Sequence, residues 1–238
     1  MKNLSPSLPV VLILGMNAQP LLAAGESTWK SSAELGIVNT TGNTETQTIN
    51  AKAKTENERD KWRHSASIEA LKTSDHGTVT AERYTVSGQT NYKYTKHSYS
   101  FVTATYEDAR FTGYDYQINA AVGYGHRVTD TAVVKLDLEA GPGMRHTKLE
   151  NGGTDEEGVL HAAAKLLWLI SKTSEFTEDL VTDIGQDATI TKSVSALKAQ
   201  INGSLATKVT YTVKHTSEVP DGVKNTDTET AVTLVYSF

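Results

Sequence analysis

Val232-Thr233-Leu234-Val235-Tyr236-Ser237-Phe238 is the stretch on which the fold turns. Val232, Leu234, Tyr236 and Phe238 recur at every second position, the period of a strand whose two faces meet different surroundings. The same period runs back through the chain. Leu205, Thr207, Val209, Tyr211 and Val213 oppose Lys208, Thr210, Thr212 and Lys214. Ala132, Val134, Leu136, Leu138 and Ala140 oppose Lys135, Asp137 and Glu139, and Tyr114, Tyr116, Ile118, Ala120, Val122 and Tyr124 oppose Asp115, Gln117 and Asn119. A soluble β-sandwich alternates too, with its apolar face inward. Soluble strands average about five or six residues. These runs are about twice that length, which favours membrane-spanning strands.

Composition agrees. Apolar residues make up 38% of the 238 residues, low for spanning helices but suited to a barrel in which only alternate residues face lipid. A net charge of −5 with both signs scattered offers no basic patch for nucleic acid. The chain has no cysteine, which removes disulfides, thiolate metal sites, a cysteine nucleophile and a lipid-modified cysteine anchor.

The N-terminus reads as a secretory signal peptide. Lys2 begins it, an apolar stretch runs from Leu8 to about Met16, and Ala23, Ala24 and Gly25 supply small residues for cleavage. Cleavage is expected after Ala24, with a site near Ala18 as the alternative. An ordinary buried helix is disfavoured by Pro6, Pro9 and Pro20. Residues 1–24 are therefore set apart, and residues 25–238 are expected to form one outer-membrane β-barrel.

The expected architecture is all-β: a transmembrane, antiparallel, up-and-down barrel of about twelve strands. The spans are 29–40, 44–57, 61–73, 80–94, 98–109, 114–126, 131–142, 158–171, 174–183, 188–201, 205–215 and 227–238. The best helix candidate, Leu160–Ile170, alternates at period two and contains Lys165. Pro142 is expected at a strand end and Pro220 in a loop, where no ladder bond is lost. An even strand count lets both termini lie on the periplasmic side. Connections after even strands are short: Asn57–Asp60, Thr95–His97, Arg127–Asp130, Ser171–Thr173 and Asn202–Ser204. The two longest, Arg145–Glu157 and Ser217–Thr226, follow odd strands and are expected outside. Thr41-Gly42-Asn43 is a tight exception.

Aromatics should form a girdle at each interface. Trp29, Trp62, Tyr92, Tyr94, Tyr99, Phe101, Tyr124, Trp168, Phe176, Tyr236 and Phe238 fall at periplasmic strand ends. Tyr84, Tyr106, Phe111, Tyr114 and Tyr116 fall at outer ends, and Tyr211 lies mid-strand and fits neither. The last strand must pair with the first, because an open edge is not viable in lipid. Its ending on Tyr236 and Phe238 resembles the signal that the outer-membrane assembly machinery reads on a final strand.

Gly42-Asn43-Thr44, Asp108-Ala109-Arg110-Phe111-Thr112-Gly113-Tyr114-Asp115, Gly123-Tyr124-Gly125 and Leu138-Glu139-Ala140-Gly141-Pro142-Gly143 together resemble the uncharacterised family of salt-induced outer membrane proteins. The resemblance covers nearly all of the mature chain, with Met144 standing where an aromatic is expected. It implies a fold and a location in the cell outer membrane, and no catalytic residues. The implied partners are outer-membrane lipid and lipopolysaccharide, the barrel-assembly machinery and periplasmic chaperones.

No local motif arranges His64, His76, His97, His126, His146, His161 or His215 for catalysis. His76, His97 and His146 read as turn residues, and His161 shares a face with Lys165 and should point into the lumen. The acidic run Asn151–Glu157 lacks the spacing of a calcium loop. No enzyme, cofactor or metal site is expected. The remaining functional surface is the lumen, with Arg83, Lys135, Asp137, Glu139, His161, Lys165, Lys208 and Lys214 as lining candidates beside Lys52, Lys54, Glu56, Lys93 and Lys198. Lysine and arginine outnumber acids in this set, which points to anion preference. Two functions follow. One is a narrow channel for small polar solutes or ions. The other is a non-conducting barrel that supports the envelope or binds a partner through its loops. A lipid-modifying enzyme is a third.

Overall fold

The computed structural model describes residues 28–40, 46–110, 114–150, 152–219 and 224–238. The expected signal segment, the Thr41-Gly42-Asn43 turn, Phe111 and Pro220 lie outside these residues. Twelve strands follow in order: β1 Thr28–Thr40, β2 Thr46–Glu58, β3 Trp62–Asp75, β4 Thr78–Lys93, β5 Ser98–Arg110, β6 Tyr114–Asp130, β7 Val134–Leu149, β8 Thr154–Leu169, β9 Ser174–Ile184, β10 Thr189–Gln200, β11 Leu205–Thr216 and β12 Thr226–Ser237. Each pairs antiparallel with its chain neighbour, and β1 pairs with β12 to close the barrel. The rim that carries the start of β1 and the end of β12 is called the near rim, and the opposite one the far rim.

Alternation decides which way each residue points. Leu35, Ile37, Ile68, Val86, Val102, Val122, Leu160 and Leu234 all stand exposed on the outer wall. An apolar band of this extent is not a water-facing surface, and it matches the lipid-facing band of an outer-membrane barrel. Trp29, Trp62 and Trp168, at 58%, 43% and 46% exposure, all point outward near the near rim and form part of a girdle there.

Four expectations are corrected. First, Tyr99 (3% exposed), Phe101 (1% exposed) and Tyr114 face the lumen and are not girdle residues. Tyr99 and Phe101 stand opposite Gly125 and Gly123. A Cβ at either glycine would collide with the facing ring, so the glycines make the space that the rings fill. Tyr114 turns inward beside a register shift between Tyr114 and Tyr116, a bulge that re-aims the side chain.

Second, Arg145–Glu157 is not a long loop. β7 runs on to Leu149 and β8 starts at Thr154, held by the opposed pairs Arg145↔Glu157 and His146↔Glu156. Polar residues at the end of a strand read as a loop, but opposite charges directly across a ladder stabilise it. His146 is accordingly a strand residue, its Nδ1 2.9 Å from Glu156 Oε1. Loop length therefore does not distinguish the rims, apart from residues 217–225 between β11 and β12.

Third, Pro142 lies inside β7. The β6–β7 register passes from Ala121↔Gly143 to Tyr124↔Ala140 and leaves out Val122 and Gly123. The proline falls where the ladder is already interrupted, and Gly123 and Gly141 let the two backbones approach there. Fourth, β6 extends to Asp130, and the turn sits at residues 131–133. Thr131 Oγ1 accepts from Val134 N at 2.9 Å, and Thr131 N donates to Val134 O at 2.9 Å.

The closing seam is short. β1 and β12 pair only over Ser32↔Ser237 to Leu35↔Leu234, with two further backbone bonds between Ser31 and Phe238. Beyond that point a Cβ at Gly36 would meet Val232 O at 2.8 Å, so β12 leans over β1 on the lumen side.

Candidate functional site

The lumen is the candidate site, and its charges are organised in two levels. Toward the far rim, Lys214 Nζ on β11 donates to Glu107 Oε1 on β5 at 2.7 Å and to Tyr114 Oη at 2.9 Å. Tyr114 Oη in turn donates to Glu107 Oε1 at 2.6 Å. In the strand order β5 and β11 lie opposite one another, so this bridge crosses the bore. Arg83 Nη2 donates to Glu229 Oε2 at 2.6 Å and lies 3.5 Å from Glu69 Oε1. Asn50 Nδ2 donates to the other Glu229 oxygen at 3.2 Å and so reaches past β1 over Gly36.

Toward the near rim, buried Glu139 accepts from Tyr99 Oη at 2.9 Å, Gln89 Nε2 at 2.8 Å and Lys165 Nζ at 2.8 Å. Asp137 accepts from Arg127 through two nitrogens at 2.6 and 2.9 Å, and from Arg63 at 3.3 Å. Arg63 also lies over the Tyr99 ring, 5.0 Å from its centroid. Asn91, with its amide oxygen turned toward Arg63, accepts from it at 2.9 and 2.8 Å. These contacts answer the requirement that buried charge be paired and hydrogen-bonded.

The remaining lining candidates take distinct places. His161 Nδ1 lies 2.7 Å from Asp183 Oδ1, and its ring is 5.6 Å from Phe101. Lys208 Nζ contacts both Glu34 oxygens at 3.0 Å. Lys135 is not within the bore: it stands half exposed at the near mouth, 4.0 Å from Asp130 Oδ1. Lys52 pairs with Glu69, Lys54 with Glu56, Lys93 with Glu58 and Lys198 with Glu175.

The expected cation excess does not hold. Glu34, Glu69, Glu107, Glu157, Asp183 and Glu229 also belong to the lining, each on a cation or histidine. Arg63, Arg127 and Arg145 were also missed. Parity carried further along each strand finds most of them: stepping back from outward Leu234 through Val232 places Glu229 inside.

Free space is uneven. A recess of about 210 Å³ opens at the near mouth on the β8–β12 side, lined by Glu175, Lys198, Gln200, Ala206 and Ser237 among others. The β3–β8 side is filled by Tyr99, Phe101 and the arginine network. At the far rim Asp155, Glu157 and Asp187 bring carboxylate oxygens within 4.8 Å of one another. Glu157 is already held by Arg145 and by Asp187 N at 3.0 Å, so its charge is spent on protein donors.

A family model described as "Protein of unknown function, DUF481" matches residues 33–238. The chain is 29% identical over 170 residues to "Uncharacterized protein YdiY" of Escherichia coli (strain K12), covering 71% of this chain and 67% of that relative. Among solved structures, the NanC porin superposes with a TM-score of 0.54 at 10% identity, over 88% of this chain and 98% of that one. An outer membrane channel from Pseudomonas putida F1, of the COG4313 group, gives 0.52 at 9% identity over 91% and 97%. At such identities the likeness is one of fold.

Proposed function

Because the chain belongs to the DUF481 family, whose description assigns no function, we propose that its barrel stands in the outer membrane as a narrow channel for ions and small polar solutes. The observation that carries this reading is the lumen: a polar, charge-lined bore with a recess open at its near mouth, narrowed by ion pairs such as Lys214–Glu107 that span its width. Its paired charges narrow the path and leave polar groups along it for a hydrated ion to meet.

The near rim is then periplasmic. Residues 1–24 are the cleaved signal, and Tyr236 and Phe238 are read by the assembly machinery with the help of periplasmic chaperones. Lipid and lipopolysaccharide cover the outer wall. From the resemblance we carry over a link to salt stress, which induction of the chain by external salt would support.

A second reading has its own observation. Ion pairs cross the lumen at both levels, Lys214–Glu107 and Arg83–Glu229 at one and Arg63–Asp137 at the other, as a non-conducting structural barrel would have them. Single-channel recording of the refolded mature protein in a planar bilayer separates the two. Discrete conductance steps are expected. A silent bilayer holding protein with the heat-modifiable mobility of a folded barrel would exclude the channel and leave the structural role.

A further inference from the structure

The outer wall is apolar around most of its circumference, and β9–β11 break the pattern. Glu178 of β9 lies outward between Phe176 and exposed Leu180. Its carboxylate accepts from Ser193 Oγ at 2.5 Å and from Ser195 Oγ, both on the outward face of β10. Beside them Thr182 and Thr191 share a hydroxyl hydrogen bond of 3.2 Å. Tyr211 of β11 stands outward across from Ser195, and its hydroxyl has no hydrogen-bond partner among the described residues. Glu178, Ser193, Ser195 and Tyr211 lie inside their strands, with Glu178 one outward step past Phe176, which faces Trp168 of the girdle; Thr182 and Thr191 lie nearer the far rim.

A carboxylate on the lipid side of a barrel is unfavourable at this depth. The two serines fill only part of the roughly four acceptor positions of a carboxylate. Lipid tails offer nothing for the rest, and nothing for the Tyr211 hydroxyl.

We propose that the outward face of β9–β11 is the contact between two copies of this chain in the membrane. A two-fold axis along the membrane normal through β10 exchanges its flanks. It brings Tyr211 of each copy, an unpaired donor, toward Glu178 of the other, an acceptor with free lone pairs. Strand spacing of about 4.8 Å and a tilt of about 40° offset the two groups by about 6 Å in depth, within reach of a tyrosine side chain. Thr191, Ser193 and Ser195 are small and let the two walls approach closely. The opposite wall, with Val86, Val102 and Val122 outward, carries its outward polar clusters toward the rims: Glu82 with Tyr84 and Arg110 at the far side, and Ser98 with Tyr124 at the near side. The contact is independent of whether the lumen conducts.

The chain has no cysteine, so single cysteines report the contact in the full mature chain reconstituted at low protein-to-lipid ratio. Ser195→Cys is expected to give a covalent dimer on oxidation. Val86→Cys, on β4 opposite β10, is expected to give none. Adding Glu178→Gln or Tyr211→Phe to Ser195→Cys should lower the dimer yield about fivefold. Heat-modifiable mobility confirms that each variant is folded, and Leu197→Cys replaces Ser195→Cys if that variant is not. Equal yields from both walls, or a dimer indifferent to Glu178 and Tyr211, would overturn the proposal. So would a monomer by light scattering, which would leave Glu178 facing headgroups or water drawn into the bilayer.

Discussion

Gly125 shows what a single missing side chain does for the lumen. Its strand neighbours point outward, and across the ladder Tyr99 lays its ring over the space a Cβ would take. The hydroxyl of that ring then donates to Glu139, so an absence on β6 orients a carboxylate on β7. Gly125→Ala should destabilise the barrel by about 1–3 kcal/mol through overpacking, measured by urea unfolding in lipid vesicles. In a Tyr99→Ala background the same change should cost much less, and equal costs in both backgrounds would count against this account. The Gly-Tyr-Gly stretch was visible in the sequence, but its meaning was not. Alternation says which way a side chain points, and only the partner strand says whether there is room for it. Tyr99 and Phe101, placed in the girdle because they fall near a strand end, alternate with outward Val102 and so point inward, just as Lys165, Lys208 and Lys214 alternate with outward Trp168, Val209 and Val213.

At the scale of the element, strand number, order and most boundaries were legible, because long runs at period two between turn residues have few other interpretations. The misjudged boundaries cluster at the ends of β6, β7 and β8. There polar strand residues leave the apolar belt, and cross-strand charge pairs, not hydrophobicity, extend the ladder. Register was legible only where parity set it; the gap at Pro142 and the lean of β12 over Gly36 are products of pairing. Gly36 yields a test of that lean. Gly36→Val would place side-chain atoms against Val232 O and Thr233 Cγ2. The fraction of chain reaching the heat-modifiable folded form should drop several-fold, while Gly88→Val, whose nearest neighbour is a backbone oxygen at 3.8 Å, should fold nearly as the parent does. Similar yields for the two would show that the seam tolerates the added bulk.

For the whole molecule, charge balance matters more than any one pair. Read from the sequence, the lining was cationic; assembled, nearly every cation in it meets an acid from another strand. A channel lined this way should discriminate weakly between cations and anions. Under a potassium chloride gradient its reversal potential is expected near zero. Lys214→Met should leave Glu107 without its lysine across the bore, widen the passage and move the reversal potential toward cation preference. A strong anion preference in the parent, or no shift in the variant, would contradict this picture of the lining.

The short β1–β12 seam also gives the cylinder a direction of failure. Twelve equal joints would share a load, but here a tug on Phe238 frees one edge of β12 by parting two backbone bonds and a few residue pairs, while its other edge stays on the longer β11 ladder. Mechanical extraction should therefore begin at β12 and travel around the wall from that side, strand after strand, like a tear started at a notch.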